Sequence, residues 1–154
     1  MQPLSSLFAD YASYHRTPGN KLFHRFGIPL IVLSALGMLA RVSIYARGPG
    51  TPPPHLDGMV IDLAMVLIVL SGVYYIALNW KLGVAMVIVS ILLYIAGSWL
   101  PLWANVALFV LGWIFQGIGH SVYEKRRPAF LRNGLHLLIG PLWILNDVIP
   151  VVKP

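Results

Sequence analysis

Residues 59–100 read MVIDLAMVLIVLSGVYYIALNWKLGVAMVIVSILLYIAGSWL. Two apolar runs, Met59–Leu78 and Leu82–Leu100, flank the short break Asn79-Trp80-Lys81. A helix needs about 20 mostly apolar residues to cross the hydrocarbon of a bilayer, and each run has that length. Outside this pair lie two more runs, Phe26–Ala46 and Ala104–His120. A fifth, Gly134–Pro150, is shorter and carries Pro141, so it either crosses or dips in and returns. The tight breaks at 79–81 and at Pro101-Leu102-Trp103 predict that the second to fourth spans are antiparallel neighbours. The stretch Arg47-Gly-Pro-Gly-Thr-Pro-Pro-Pro-His55-Leu-Asp-Gly58 cannot continue a helix and reads as a loop. The expected fold is an all-α membrane protein, a bundle of four to five transmembrane helices.

Composition supports that class. Of 154 residues, 58% are hydrophobic and 10% charged, with a mean hydropathy of +0.76. Soluble domains carry about 25% charged residues. The chain is expected to form one integral membrane domain, 1–154, with no separate soluble catalytic unit. With no cysteine, thiolate catalysis and sulfur-ligated metals are excluded. The net charge of +6 fits basic loops on an anionic leaflet better than nucleic-acid binding, because no basic helix or stacking module accompanies it. Asp10 and Tyr11 interrupt the N-terminus, so no cleavable signal peptide is expected. Placing the N-terminus in the cytoplasm puts Arg16, Lys21, Arg25, Lys81, Lys125, Arg126, Arg127 and Arg132 on that side. Arg47 and Lys153 fall on the other. That bias sets the orientation.

Residues 1–25 form an interfacial segment ahead of the bundle at 26–150. Leu4, Leu7, Phe8, Tyr11 and Tyr14 recur at helical steps, which predicts an amphipathic helix over 3–16 lying in the interface, with Ser5 or Ser6 as N-cap. His15 follows Leu4 by eleven residues and so falls within about 20° of the apolar face. Pro18-Gly19 breaks this helix before the first span.

In this topology His15, His24, His120 and His136 all sit at the cytoplasmic boundary, and His55 alone lies in the opposite loop. Gln116, His120 and Glu124 share one helical face, with Gly117 and Gly119 permitting close approach of another backbone. Asn20 and His24 are four residues apart, and His136, Gly140, Trp143 and Asp147 form one stripe. Several imidazoles with amide and carboxylate partners at one bilayer edge fit a metal site, the amides and carboxylates fixing ring tautomers. Spacing leaves iron, zinc, copper and manganese open. Arg41 and Asp62, at similar depth near the other side, are expected to form an interhelical ion pair. Trp80, Trp99, Trp103 and Tyr45 are expected in the interfacial belt.

Three stretches carry a family resemblance. Tyr14-His-Arg-Thr-Pro-Gly-Asn-Lys-Leu-Phe-His24 with Gly27-Ile-Pro29 is the first. Gln116-Gly-Ile-Gly-His120 with Glu124-Lys-Arg-Arg-Pro-Ala129 is the second, and Gly140-Pro-Leu-Trp143 running to Asp147 the third. Together they resemble the DUF962 family, from about Tyr11 to Ile149. The resemblance implies a small multi-span enzyme that uses Fe(II) and dioxygen to shorten a 2-hydroxy fatty acid by one carbon. It implies His15, His24 and His120 as metal ligands and catalytic residues, Glu124 as a catalytic or supporting carboxylate, and His136 as a weaker ligand candidate. Asn20, Gln116 and Asp147 are expected to support the ligands or substrate, and Arg16, Lys21 and Arg127 to neutralise the substrate carboxylate. The competing reading is a non-catalytic lipid-binding or scaffolding protein with a structural metal or none.

Overall fold

The computed structural model describes residues 2–46, 60–131 and 133–152. Arg47, His55, Arg132 and Lys153, and with the first two the whole stretch 47–58 expected as a loop, lie outside the described residues. The elements in chain order are α1 (Leu4–Ser13), α2 (Pro18–Leu39), β1 (Ser43–Ala46), β2 (Val60–Asp62), α3 (Leu63–Leu78), α4 (Trp80–Trp99), α5 (Leu102–Ile118) and α6 (His136–Val148). A π-helical turn, Gly119–Glu124, continues α5, and a 3-10 turn spans Ala129–Leu131.

The first span begins earlier than its hydropathy suggests. Lys21 and Arg25 set the apparent boundary at Phe26, but Thr17 caps the helix by accepting from the Asn20 amide, and Pro18 fits the first turn. Pro18-Gly19 therefore starts α2 instead of breaking α1. The first helix is correspondingly shorter, at Leu4–Ser13. Pro3 holds its N-cap position without a side-chain bond, so neither Ser5 nor Ser6 serves there.

The other end of α2 also differs from expectation. Ser43–Ala46 pairs antiparallel with Val60–Asp62 in a two-stranded sheet, so the fold is not purely helical. The run Val42–Ala46 is apolar and rich in β-branched and aromatic residues, and hydropathy cannot separate it from the preceding helix. Asp62 closes the sheet and caps α3 by accepting from the Met65 amide at 2.9 Å.

Arg41 and Asp62 do not pair. The Arg41 guanidinium donates to the carbonyls of Gly37 and Leu100, at the C-terminal ends of α2 and α4. Those ends carry partial negative charge that suits a cation. Asp62 instead accepts from Tyr94 Oη at 2.7 Å. Both charges are satisfied by helix termini and a phenol.

Three helical stretches are long and apolar enough to cross a bilayer: Pro18–Leu39, Trp80–Trp99 and Leu102–Glu124. Helix α3 is shorter at 16 residues. It nevertheless runs from one end of the bundle to the other. Its N-cap Asp62 meets Tyr94 late in α4, and Tyr75 near its C-terminus donates to the Leu138 carbonyl of α6. Helix α6, at 13 residues, is about 20 Å long, below the roughly 30 Å of the hydrocarbon core.

The central helix is α2, not α4. Glycines set this arrangement. A Cβ on Gly27 would meet the Gly112 carbonyl at 3.0 Å, and one on Gly37 would meet the Gly97 carbonyl at 2.5 Å. Backbones approach this closely only where side chains are absent. So α5 packs chiefly on α2, and of the expected antiparallel neighbours α3, α4 and α5 the extensive packing is α3 with α4, while α5 meets α4 through the Asn105–Gly97 hydrogen bond. The outward faces are apolar: Val69, Leu70 and Val73 are 62–65% exposed. Trp80, Trp99 and Trp103 also project outward, as an interfacial belt requires.

Candidate metal centre

Helix α1 delivers the first ligand. Leu4, Phe8 and Tyr11 are buried against Ile139, Leu142 and Trp143 of α6, and this contact anchors the N-terminal segment on the bundle. The helix ends at Ser13, and His15 turns inward, 2% exposed, its ring stacked 4.1 Å from that of Tyr11. His24 comes from the first turns of α2 and His120 from the π-turn, at 2% and 4% exposure. One ligand atom from each ring lies within 4.8 Å of the others. Ring centroids are 4.4, 5.0 and 4.8 Å apart.

The tautomers follow from the hydrogen bonds. His15 Nδ1 lies 2.7 Å from the Tyr11 carbonyl, and His24 Nδ1 lies 2.9 Å from the Asn20 carbonyl. A carbonyl only accepts, so both Nδ1 atoms carry the proton and both Nε2 atoms present a lone pair. Each tie reaches back four residues, within one helical turn. Burial pulls the His15 pKa down to about 4, with the His120 and His136 rings adding to the effect, so the ring is neutral at pH 7. Neutral, backbone-tethered imidazoles are what a cation needs. His120 Nδ1 is buried with no hydrogen-bond partner among the described residues, an arrangement costly to maintain unless something else binds there.

The π-turn explains how His120 reaches this point. Its wider winding re-aims side chains relative to α5, a device frequent at functional sites. The turn closes on Lys125 with a left-handed φ of 53°. Gly119 faces Asn20 and His24, where a Cβ would lie 2.5 Å from Asn20 Oδ1. A Cβ on Gly117 would meet nothing within 4 Å among the described residues, so it plays no such part.

Glu124 is near the histidines but engaged elsewhere. Its carboxylate accepts from the amides of Arg16 and Thr17, from Thr17 Oγ1 and from Asn20 Nδ2, all at 3.0–3.1 Å. An anion here complements the N-terminus of α2. It clasps the turn between His15 and His24, and stands outside the three-nitrogen set.

The remaining expected residues divide. Gln116 is buried, lines the histidine pocket and leaves Nε2 without a partner among the described residues. His136 lines the same pocket, but its Nε2 is 2.9 Å from Asp10 Oδ2. Asp147 does not line the pocket and forms an ion pair with Arg25 at 3.0 Å. Lys21 sits over the Trp143 ring at 5.9 Å, and Arg16 is exposed. Arg127, with Lys125 and Arg126, lines an open groove that reaches His120 and Ser121.

Sequence reasoning missed Tyr11 as a wall of the site and Asp10 as the partner of His136. It also missed Trp113 and Phe130, which line the pocket with Ile28, Ile31 and Val32. Tyr11 was visible as a member of the α1 stripe, but its stacking on His15 depends on where α1 ends.

A family described as 2-hydroxy-palmitic acid dioxygenase Mpo1-like matches residues 1–150. The chain belongs to the Mpo1-like family. It is similar to the 2-hydroxy-palmitic acid dioxygenase MPO1 of Saccharomyces cerevisiae, 35% identical over 149 residues, which cover 94% of this chain and 78% of the relative. No solved structure matches it. This membership supports a dioxygenase-type activity and bears out the resemblance carried by the histidine motifs.

Proposed function

We propose that this Mpo1-like protein is an Fe(II)-dependent dioxygenase that shortens 2-hydroxy fatty acids by one carbon at the cytoplasmic boundary of a membrane. The observation that carries the reading is the meeting of His15, His24 and His120, two with lone pairs fixed by backbone ties and one with a buried unpartnered nitrogen. The donor set fits iron: neutral imidazoles without sulfur suit a first-row transition metal and leave coordination positions for substrate and dioxygen. Bound there, iron supplies the redox chemistry that lets dioxygen react with a closed-shell organic acid.

The chain's own residues would do the rest. The pocket's polar end is the histidine cluster. Its apolar walls, Ile28, Val32 and Pro141, also line a second groove with Met86, Val89, Leu93, Ile144 and Leu145. An acyl tail laid along this path would gain about 0.8 kcal/mol per buried methylene, which would hold the reacting end at the histidines. Lys125, Arg126 and Arg127 line the opening near His120 and are placed to attract the carboxylate. Asn20 and Glu124 would act as positioning residues, holding the His15–His24 turn closed. Lys and Arg cluster on the histidine side, which favours the cytoplasmic face. If α2, α4 and α5 cross, α3 must cross too, giving four spans with α1 in the interface and α6 against the inner boundary.

The test is direct. Protein purified without oxygen, reconstituted in nanodiscs with Fe(II) and then exposed to air, is expected to convert 2-hydroxypalmitate to the acid one carbon shorter, and the zinc-loaded form is not. Protein that binds no iron and leaves the hydroxy acid unchanged would instead fit the lipid-binding or scaffolding alternative.

A further inference from the structure

His136 is 8% exposed and lines the histidine pocket, yet it stands outside the three-nitrogen set. Its ring contacts are with Tyr11 and Tyr14, each 5.7 Å between centroids. Asp10 Oδ2 lies 2.9 Å from Nε2. An ionised carboxylate only accepts, so Nε2 carries the proton and Nδ1 of the neutral ring is left with a lone pair. That Nδ1 is buried and has no partner among the described residues.

A buried acceptor without a donor is costly, and the chemistry of the missing partner follows from it. A carboxylate cannot donate, and neither can an alkyl chain. A hydroxyl can.

We propose that His136, oriented by Asp10, is the residue that recognises the 2-hydroxyl of the substrate, accepting its hydrogen bond at Nδ1. The inference rests on the dioxygenase reading for the substrate class and assigns within it a determinant of hydroxy acid over plain fatty acid. It also separates His136 from His15, His24 and His120 in role. Asp10, its side chain more than half exposed, acts on substrate only through His136 and is a positioning residue.

The experiment is equilibrium binding, under anaerobic conditions where no turnover occurs, of radiolabelled 2-hydroxypalmitate and palmitate to Fe(II)-loaded protein in nanodiscs. Wild-type protein is expected to prefer the hydroxy acid by about tenfold or more, the order of one hydrogen bond to a buried group. His136→Phe should bring the ratio to near one while the iron content stays unchanged. His136→Asn, whose amide oxygen can occupy the Nδ1 position, should restore part of the preference. Asp10→Asn, at an exposed position that tolerates substitution, should lower the ratio several-fold. Loss of iron in His136→Phe and His136→Asn would overturn the proposal and make His136 a fourth ligand. An unchanged ratio at full iron, or no preference in wild-type protein, would overturn it as well. Failure of the dioxygenase reading registers separately, as hydroxy acid left unconsumed in air by iron-loaded wild-type protein.

Discussion

The two ends of the bundle both bury polar groups, and they treat them differently. At the hairpin end, Arg41 is taken up by helix-terminal carbonyls, and Asp62 by the α3 cap and Tyr94. Asn105 donates to the Gly97 carbonyl, and only its Oδ1 is left over. At the histidine end, His120 Nδ1, His136 Nδ1, Gln116 Nε2 and Asn20 Oδ1 all lack partners among the described residues. Satisfied polar groups hold helices in register. Unsatisfied ones around one pocket mark where something else binds. The two ends should therefore respond to mutation in separable ways.

The largest effect is expected at His120. On the proposed function, His120→Ala should abolish metal binding and reduce turnover at least a thousandfold while thermal unfolding shifts little, as metal analysis and product assay on one sample would reveal. Retained metal would make this end structural like the other. Next comes Glu124→Gln, which weakens the clasp on the His15–His24 turn. Outer residues that orient ligands typically contribute 10–100-fold to metal affinity, and competition with a chelator would measure that loss.

The opposite end supplies the converse. Asp62→Ala removes the cap of α3 and the acceptor of Tyr94, so it should destabilise the fold by about 1–2 kcal/mol. Its metal stoichiometry should be that of the wild type. A fall in metal would mean that the two ends are coupled through α3.

The smallest effect is one of pH. His15 has a folded pKa near 4, below the usual 6.5 because burial disfavours the cation. The unfolded chain then binds the extra proton, and the stability of metal-free protein is lost as pH falls from 6.5 towards 4. By pH 5.5 this amounts to on the order of 1 kcal/mol from His15 alone. Thermal shifts in detergent should record it, and His15→Gln should flatten the slope while Asp62→Ala leaves it in place.

Much of this was legible in the sequence because a bilayer imposes length. The apolar cores of α2, α3, α4 and α5 were visible, as were the histidines that share one boundary. Their convergence was implied by the family resemblance and not by spacing, since it depends on α2 lying between α4 and α5, and that order comes from glycine contacts with no periodic signature. The strand at Ser43–Ala46 was hidden in a continuous apolar run. The Arg41–Asp62 pairing was inferred from equal depth, but depth does not reveal that helix ends offer each charge a nearer partner. Glu124 was singled out by the family resemblance as a catalytic or supporting carboxylate, with nothing in the spacing to say what it binds. Only the fold brings the amides of Arg16 and Thr17 to it, across 108 and 107 positions of sequence.

That long-range clasp constrains how the protein is made. A ribosome releases His15 and His24 well before His120 and Glu124 follow, so no intermediate stage of synthesis can possess the three-ring cradle. The early segment must wait beside the nascent bundle until α5 has been added, so any metal held by the three rings would be loaded late in biogenesis.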